Sequence, residues 1–183
     1  MPGLFKNKYR NDSARLKQFD YSSSGYYFVT ICTYNKTDFF GDVTNGKIKL
    51  SEIGKIAHES WTNIPHHFGN AQLDEFIIMP DHLHGILFLD QPYPCRDAIN
   101  RVPTIAWDKH GGATGSHNPM LTNNSLGKII RWFKGRTTFE IRKSNHFGFA
   151  WQPRFYEHVV RNENSLQKIR EYIVNNPINW HEK

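Results

Sequence analysis

The stretch Phe76-Ile77-Ile78-Met79-Pro80-Asp81-His82-Leu83-His84-Gly85-Ile86-Leu87-Phe88-Leu89 limits what this chain can fold into more than any other. Two apolar runs flank a His-x-His pair. Each run has the length of a buried strand and is rich in branched or aromatic residues. Pro80 cannot donate to a sheet ladder, so the pattern predicts a short turn between two central strands, Gln72 to Met79 and His82 to Leu89. Side chains alternate faces along a strand. His82 and His84 therefore stand side by side on one face, with Leu83 on the other. Two neutral ring nitrogens so placed can hold one metal ion. Such a pair can also arise by chance in a chain with ten histidines, each simply hydrogen-bonded. The apolar flanks weigh against that, because a buried strand carries unpaired polar rings only at a cost.

The 183-residue chain can supply a core for these strands: 38% of it is hydrophobic and 14% aromatic, which argues against disorder over most of its length. The expected organisation is a basic arm over residues 1–25 followed by one domain over 26–183. A net charge of +6 points to an acidic partner, nucleic acid first. Cys32 sits in an apolar run and reads as a small core residue; with Cys95 it has no metal-ligand spacing and makes no disulfide framework. No apolar h-region opens the chain and no run reaches a membrane span, so the expectation is a cytoplasmic protein with no membrane partner.

In order, Lys6, Lys8, Arg10, Arg15 and Lys17 make the first segment a loosely ordered arm, with nucleic-acid backbone contact as a second reading. Tyr26 to Tyr34 is a strand, rich in aromatic and β-branched residues. Asn45-Gly46 closes a small hairpin attached to the main sheet. Ser51 caps a helix running to about His66, with Ile53, Ile56, Ala57, Ser60, Trp61 and Ile64 on its apolar face; His58, His66 and His67 read as exposed. Prolines, glycines and polar residues from about 91 to 124 read as a flexible loop. Gly111-Gly112-Ala113-Thr114-Gly115 lacks the Lys-Ser/Thr and the context of a phosphate loop. Ser125 caps a helix to about Lys143, striped by Leu126, Ile129, Ile130, Phe133, Thr137 and Ile141. Its other faces carry Lys128, Arg131, Lys134 and Arg136, and a charged surface so nearly single-signed favours phosphate. Arg154 and Arg161 bracket an extended segment that becomes a short strand. Asn162 caps a last helix from about Glu163 to Asn175, which Pro177 ends.

Tyr172 and Asn176 lie four apart and share a face if that helix reaches Asn176. An amide oxygen suits a hard divalent ion. A tyrosine can attack a phosphodiester when a metal polarises the phosphate. From periodicity alone Tyr172 reads as a core aromatic of an amphipathic helix.

Three separated motifs add to that reading. Met79-Pro80-Asp81-His82-Leu83-His84, then Trp151-Gln152-Pro153-Arg154-Phe155-Tyr156-Glu157-His158, then Ile169-Arg170-Glu171-Tyr172-Ile173-Val174-Asn175-Asn176-Pro177 occur in the order found in IS200-like Y1 transposases. Over Tyr26 to Trp180, apart from the loop, the chain resembles that family, and within it the REP-associated tyrosine transposases. The resemblance implies an α+β, ferredoxin-like antiparallel sheet with helices packed on one face and a metal site of the HUH type on the central strands. It implies Tyr172 as nucleophile, His82, His84 and Asn176 as metal positions, Mg²⁺ or Mn²⁺ as cofactor, and hairpin-forming single-stranded DNA as partner. The implied activity is metal-dependent cleavage and rejoining through a phosphotyrosine link. Lys128, Arg131, Lys134, Arg136, Arg154 and Arg161 are the candidate DNA contacts. Relatives include monomers and dimers, which leaves a homodimer open.

One departure stands out: the position before the first His is often Asn in relatives and is Asp81 here, where it either tightens metal binding or caps the turn. Tyr156, beside Glu157 and His158, is a competing nucleophile. The alternative function is a domesticated DNA-hairpin-binding protein without catalysis. An unrelated hydrolase with a His-x-His-x-His motif is disfavoured because position 86 is Ile86.

Overall fold

The computed structural model describes residues 4–5, 8–9, 19–90 and 124–180. Lys6, Arg10, Arg15 and Lys17 of the basic arm, Cys95, and residues 91–123 of the expected loop lie outside the described residues. Leu4–Phe5 (β1) pairs antiparallel with Lys8–Tyr9 (β2).

The central sheet has four antiparallel strands: Gly25–Cys32 (β3), Ala71–Met79 (β6), His82–Leu89 (β7) and Tyr156–Val160 (β8). Their order is β6-β7-β3-β8. Between β3 and β6 runs the helix Glu52–Thr62 (α1), and between β7 and β8 the helix Leu126–Lys143 (α3). This is the β-α-β-β-α-β succession of a ferredoxin-like fold, as the resemblance implied. β6 and β7 meet at the two-residue turn Pro80-Asp81, with Met79 opposite His82. The proline thus falls where no ladder bond is needed.

Period-2 alternation gives the sheet two apolar faces. Tyr27, Val29, Ile31, Leu83, Leu87 and Leu89 enter the main core with Ala57 and Trp61 of α1 and Ile129, Ile130 and Phe133 of α3. Phe28 and Ile86 point the other way and form a second core with Val160 of β8 and with Leu166 and Ile173 of the last helix, Glu163–Asn175 (α4). The helices expected on one face are therefore α1 and α3, while α4 crosses the opposite face. Its Leu166/Ile173 stripe needs an apolar surface, and the His-bearing face has one beside the histidines.

Capping accounts for the helix starts. The Ser51 hydroxyl accepts from the Gly54 amide at 3.0 Å, and the Asn162 side chain from the Ser165 amide at 2.8 Å. The first helix stops short of the expected His66. It closes at Asn63, and Ile64–His67 (α2) is a separate turn containing Pro65, whose missing N–H cannot continue the α1 ladder. The hairpin Gly41–Thr44 (β4) with Lys47–Leu50 (β5) turns on Asn45 and Gly46, both at positive φ (50° and 69°) as a two-residue hairpin loop requires. It forms a sheet of its own, tied to the main one through the Phe40 amide and the Pro80 carbonyl at 2.9 Å. No helix among the described residues is long and apolar enough to cross a membrane.

Candidate active site

His82 and His84 lie on the α4 side of β7, their ring centroids 4.4 Å apart, with Leu83 fully buried on the other side. Each ring is fixed by its Nδ1. For His84 the partner is the Thr30 hydroxyl on the neighbouring strand, at 2.9 Å; for His82 it is the carboxylate of Asp81, at 2.5 Å. A ring that gives its Nδ1–H to such a partner keeps the Nε2 lone pair free for an ion or a proton. Asp81 is itself buried, with its carboxylate against the His82 ring. The residue that departs from the family pattern is thus tied to the first histidine.

His84 is almost wholly buried, with Phe28 stacked on it at 5.4 Å. Burial, reinforced by the neighbouring His82 and only partly opposed by Asp81, pushes its pKa down to about 3, so the ring is neutral at physiological pH. Its Nε2 faces the hydroxyl of Tyr172 at 3.2 Å. Tyr172 projects from α4, half exposed, with its ring edge-on to Phe28 at 6.3 Å. Past the helix, Asn176 keeps right-handed helical geometry (φ −57°, ψ −42°) despite the following Pro177. It therefore falls one turn after Tyr172 on the same side. The chain then brings the Trp180 ring to 5.9 Å from His82.

Arg170 grips Asp74 of β6 with two bonds, Nε at 2.9 Å and Nη2 at 2.6 Å. The bidentate guanidinium holds the Asp74 carboxyl below the usual carboxylate range. This clamp fastens α4 to the sheet two residues before Tyr172.

The expected site residues are distributed as follows. The fold brings together His82, His84 and Tyr172 and leads Asn176 past them. Tyr156 shares their face but pairs with Thr30, so β3 stands between it and His84. Lys128, Arg131 and Arg136 ride on α3, in the layer beneath the opposite face. Arg136 is paired with Glu140 at 2.8 Å. Lys134 donates to the carbonyls of Gln152 and Arg154 at 2.7 and 3.0 Å, and burial lowers its pKa. Arg154 and Arg161 are exposed just before and just after β8. Cys32, expected in the core, is only part-buried and pairs with His82 across β3 and β7, on the histidine face. Thr30, Trp180 and the Arg170–Asp74 clamp were missed; only strand register, which sequence does not carry, would have linked Thr30 to His84.

The residues present could hold one divalent ion through two imidazoles, and among the described residues no group of three His, Cys, Asp or Glu side chains is placed to hold a metal ion. Further ligands would therefore be oxygens, such as the Asn176 amide or a phosphate.

The fold so built is transposase-like. It matches the structure of a REP-associated tyrosine transposase bound to a REP hairpin, with a TM-score of 0.56 over 91% of this chain and 73% of that one, at 14% identity. No family model matches the sequence. The chain is 38% identical over 170 residues to an uncharacterized protein of Haemophilus influenzae, spanning 92% of this chain and 88% of that protein, and it belongs to the same family.

Proposed function

We propose that this protein cleaves and rejoins single-stranded DNA through a covalent phosphotyrosine at Tyr172, with a hairpin-forming strand as substrate. The observation that carries the reading is the Tyr172 hydroxyl 3.2 Å from Nε2 of a neutral histidine. The likeness in fold to a transposase solved with a DNA hairpin supports the choice of substrate.

In the proposed reaction the Tyr172 oxygen bonds to phosphorus as the bond from phosphorus to one deoxyribose oxygen breaks. The leaving oxygen takes a proton and becomes a free hydroxyl, and the tyrosine proton passes to water on the exposed side of the ring. Phosphorus keeps the same number of oxygen bonds, so a free hydroxyl can reverse the step on another strand. Mg²⁺ or Mn²⁺ held by Nε2 of His82 and His84 and by Asn176, taking the His84 lone pair in place of the Tyr172 hydroxyl, would polarise the phosphate and offset charge on the leaving oxygen. Thr30 and Asp81 fix the two rings. Phe28 and Trp180 wall the site, and the Arg170 clamp sets where Tyr172 stands.

The test is a denaturing gel of the protein incubated with labelled single-stranded DNA flanking its own gene, with Mn²⁺. A metal-dependent adduct that Tyr172→Phe loses and Tyr156→Phe keeps is the expected result. An adduct surviving in Tyr172→Phe would move the nucleophile. Tight hairpin binding without an adduct would leave the non-catalytic reading.

A further inference from the structure

Away from the histidines, a cleft of about 700 Å³ opens between the second half of α3 and the segment at Trp151. Sites for small ligands commonly span roughly 300–1,000 Å³. Lys134, Gly135, Phe139, Arg142, Lys143 and Trp151 line it, and among the described residues no acidic side chain does.

Its construction has no explanation in packing. Gly135 sits inside α3, where glycine is among the poorest helix formers, yet a Cβ there would meet nothing within 4 Å. One turn later Phe139 is 60% exposed. The wall opposite is firm: the Lys134 amine lies 5.8 Å over the Trp151 ring and is anchored on two carbonyls, while the Trp151 indole donates to the Lys134 carbonyl at 3.2 Å. A bare floor, an exposed aromatic face and cations with no acidic partner among the described lining residues suit a stacked base with its phosphates. The cleft is joined through the chain to the strands that carry the histidine face. Trp151 is bridged to Thr33 at the end of β3, and the chain runs from it into β8, where Tyr156 faces the histidine side.

We propose that this cleft holds one nucleotide of the single-stranded DNA, outside the segment that Tyr172 attacks. The base lies against Phe139 over Gly135, and the phosphates meet Arg142 and Lys143. The inference rests on the function proposed above and adds a second contact with the substrate.

The test measures how much affinity the full-length protein gains, by fluorescence anisotropy, when a short hairpin oligonucleotide is lengthened by several single-stranded nucleotides. Phe139→Ala should cut that gain about tenfold, the size expected for one stacked base. Gly135→Leu should cut it similarly by filling the floor, while its melting temperature stays the same or rises because leucine favours the helix. Abasic residues in the added nucleotides should reproduce the loss with the unaltered protein. If both variants keep the full gain while the unaltered protein forms its adduct, the cleft is not a DNA site and the proposed function stands. If the unaltered protein neither binds single-stranded DNA nor forms an adduct, both readings fall.

Discussion

Gly85→Ala tests how tightly the histidine strand is packed against the helix layer. Gly85 follows His84 on β7 and faces the main core. An added Cβ would stand 2.5 Å from Cζ2 of Trp61, with two more ring atoms at 3.1 and 3.2 Å. Carbon atoms rest at about 3.5–4.0 Å, so the indole or the strand must give by about 1 Å. Trp61 is fully buried, edge-on to the equally buried Phe133 at 5.1 Å, with Phe76 at 6.2 Å. Overpacking of this kind costs roughly 1–3 kcal/mol. Alanine returns roughly 0.5–1 kcal/mol over glycine in a strand, which at the middle of both ranges leaves a net loss of about 1 kcal/mol. In a chain of this size that lowers the melting temperature by roughly 2–4 °C. Urea unfolding measures the loss directly. Trp61→Phe removes the atoms that clash, so Gly85→Ala in that background should cost less than in the native chain, by about 1 kcal/mol. A Gly85→Ala protein as stable as the native one, or strictly additive losses in the double variant, would refute the packing argument.

Two further outcomes follow from the site. Asp81→Asn replaces the carboxylate that orients His82, so Mn²⁺ affinity by titration calorimetry should fall roughly 10–100-fold; unchanged affinity would mean the pair is decorative. His84 has its pKa depressed on folding, so between its ordinary value and about 3 the unfolded chain binds a proton that the folded chain refuses. The stability is fully present above about pH 6.5 and is lost as pH falls toward 3, at up to about 1.4 kcal/mol per pH unit from this group. His84→Gln should lack that component, so its denaturant midpoint should decline less steeply than the native one between pH 6.5 and 5; parallel declines would show that His84 titrates normally.

The sheet was legible because its strands carry strong local signals. Alternation in β7 assigned Leu83 and the histidines to opposite faces, and Ser51, Ser125 and Asn162 marked the helix starts where their caps are found. The six residues read as the α3 stripe are the six that are buried. Contacts that depend on which strand lies beside which were not legible. Thr30 reaches His84 across 54 positions and Arg170 reaches Asp74 across 96, and neither pairing leaves a periodic trace. Single-signed charge along α3 likewise could not tell which cations stay free. Lys134 spends its amine on backbone carbonyls, and Arg136 pairs with Glu140.

The placement of Tyr172 follows from parts of α4 that take no part in the proposed chemistry. Leu166 and Ile173 enter the second core, and Ile169 packs partly against it, which fixes how the helix is rotated on the sheet. Arg170 is locked to Asp74 near the outer strand, which fixes how far the helix slides along it. Tyr172 lies at the border of the buried stripe. Its ring can touch His84 and Phe28 while half of it stays open to solvent. A tyrosine one position later would be buried where Ile173 is; one earlier, at Glu171, would project into solvent. The reach of Tyr172 to the histidines is therefore set by the apolar stripe and the Arg170 clamp, and loosening either should misplace Tyr172 before it disturbs His82 or His84, which β7 holds independently.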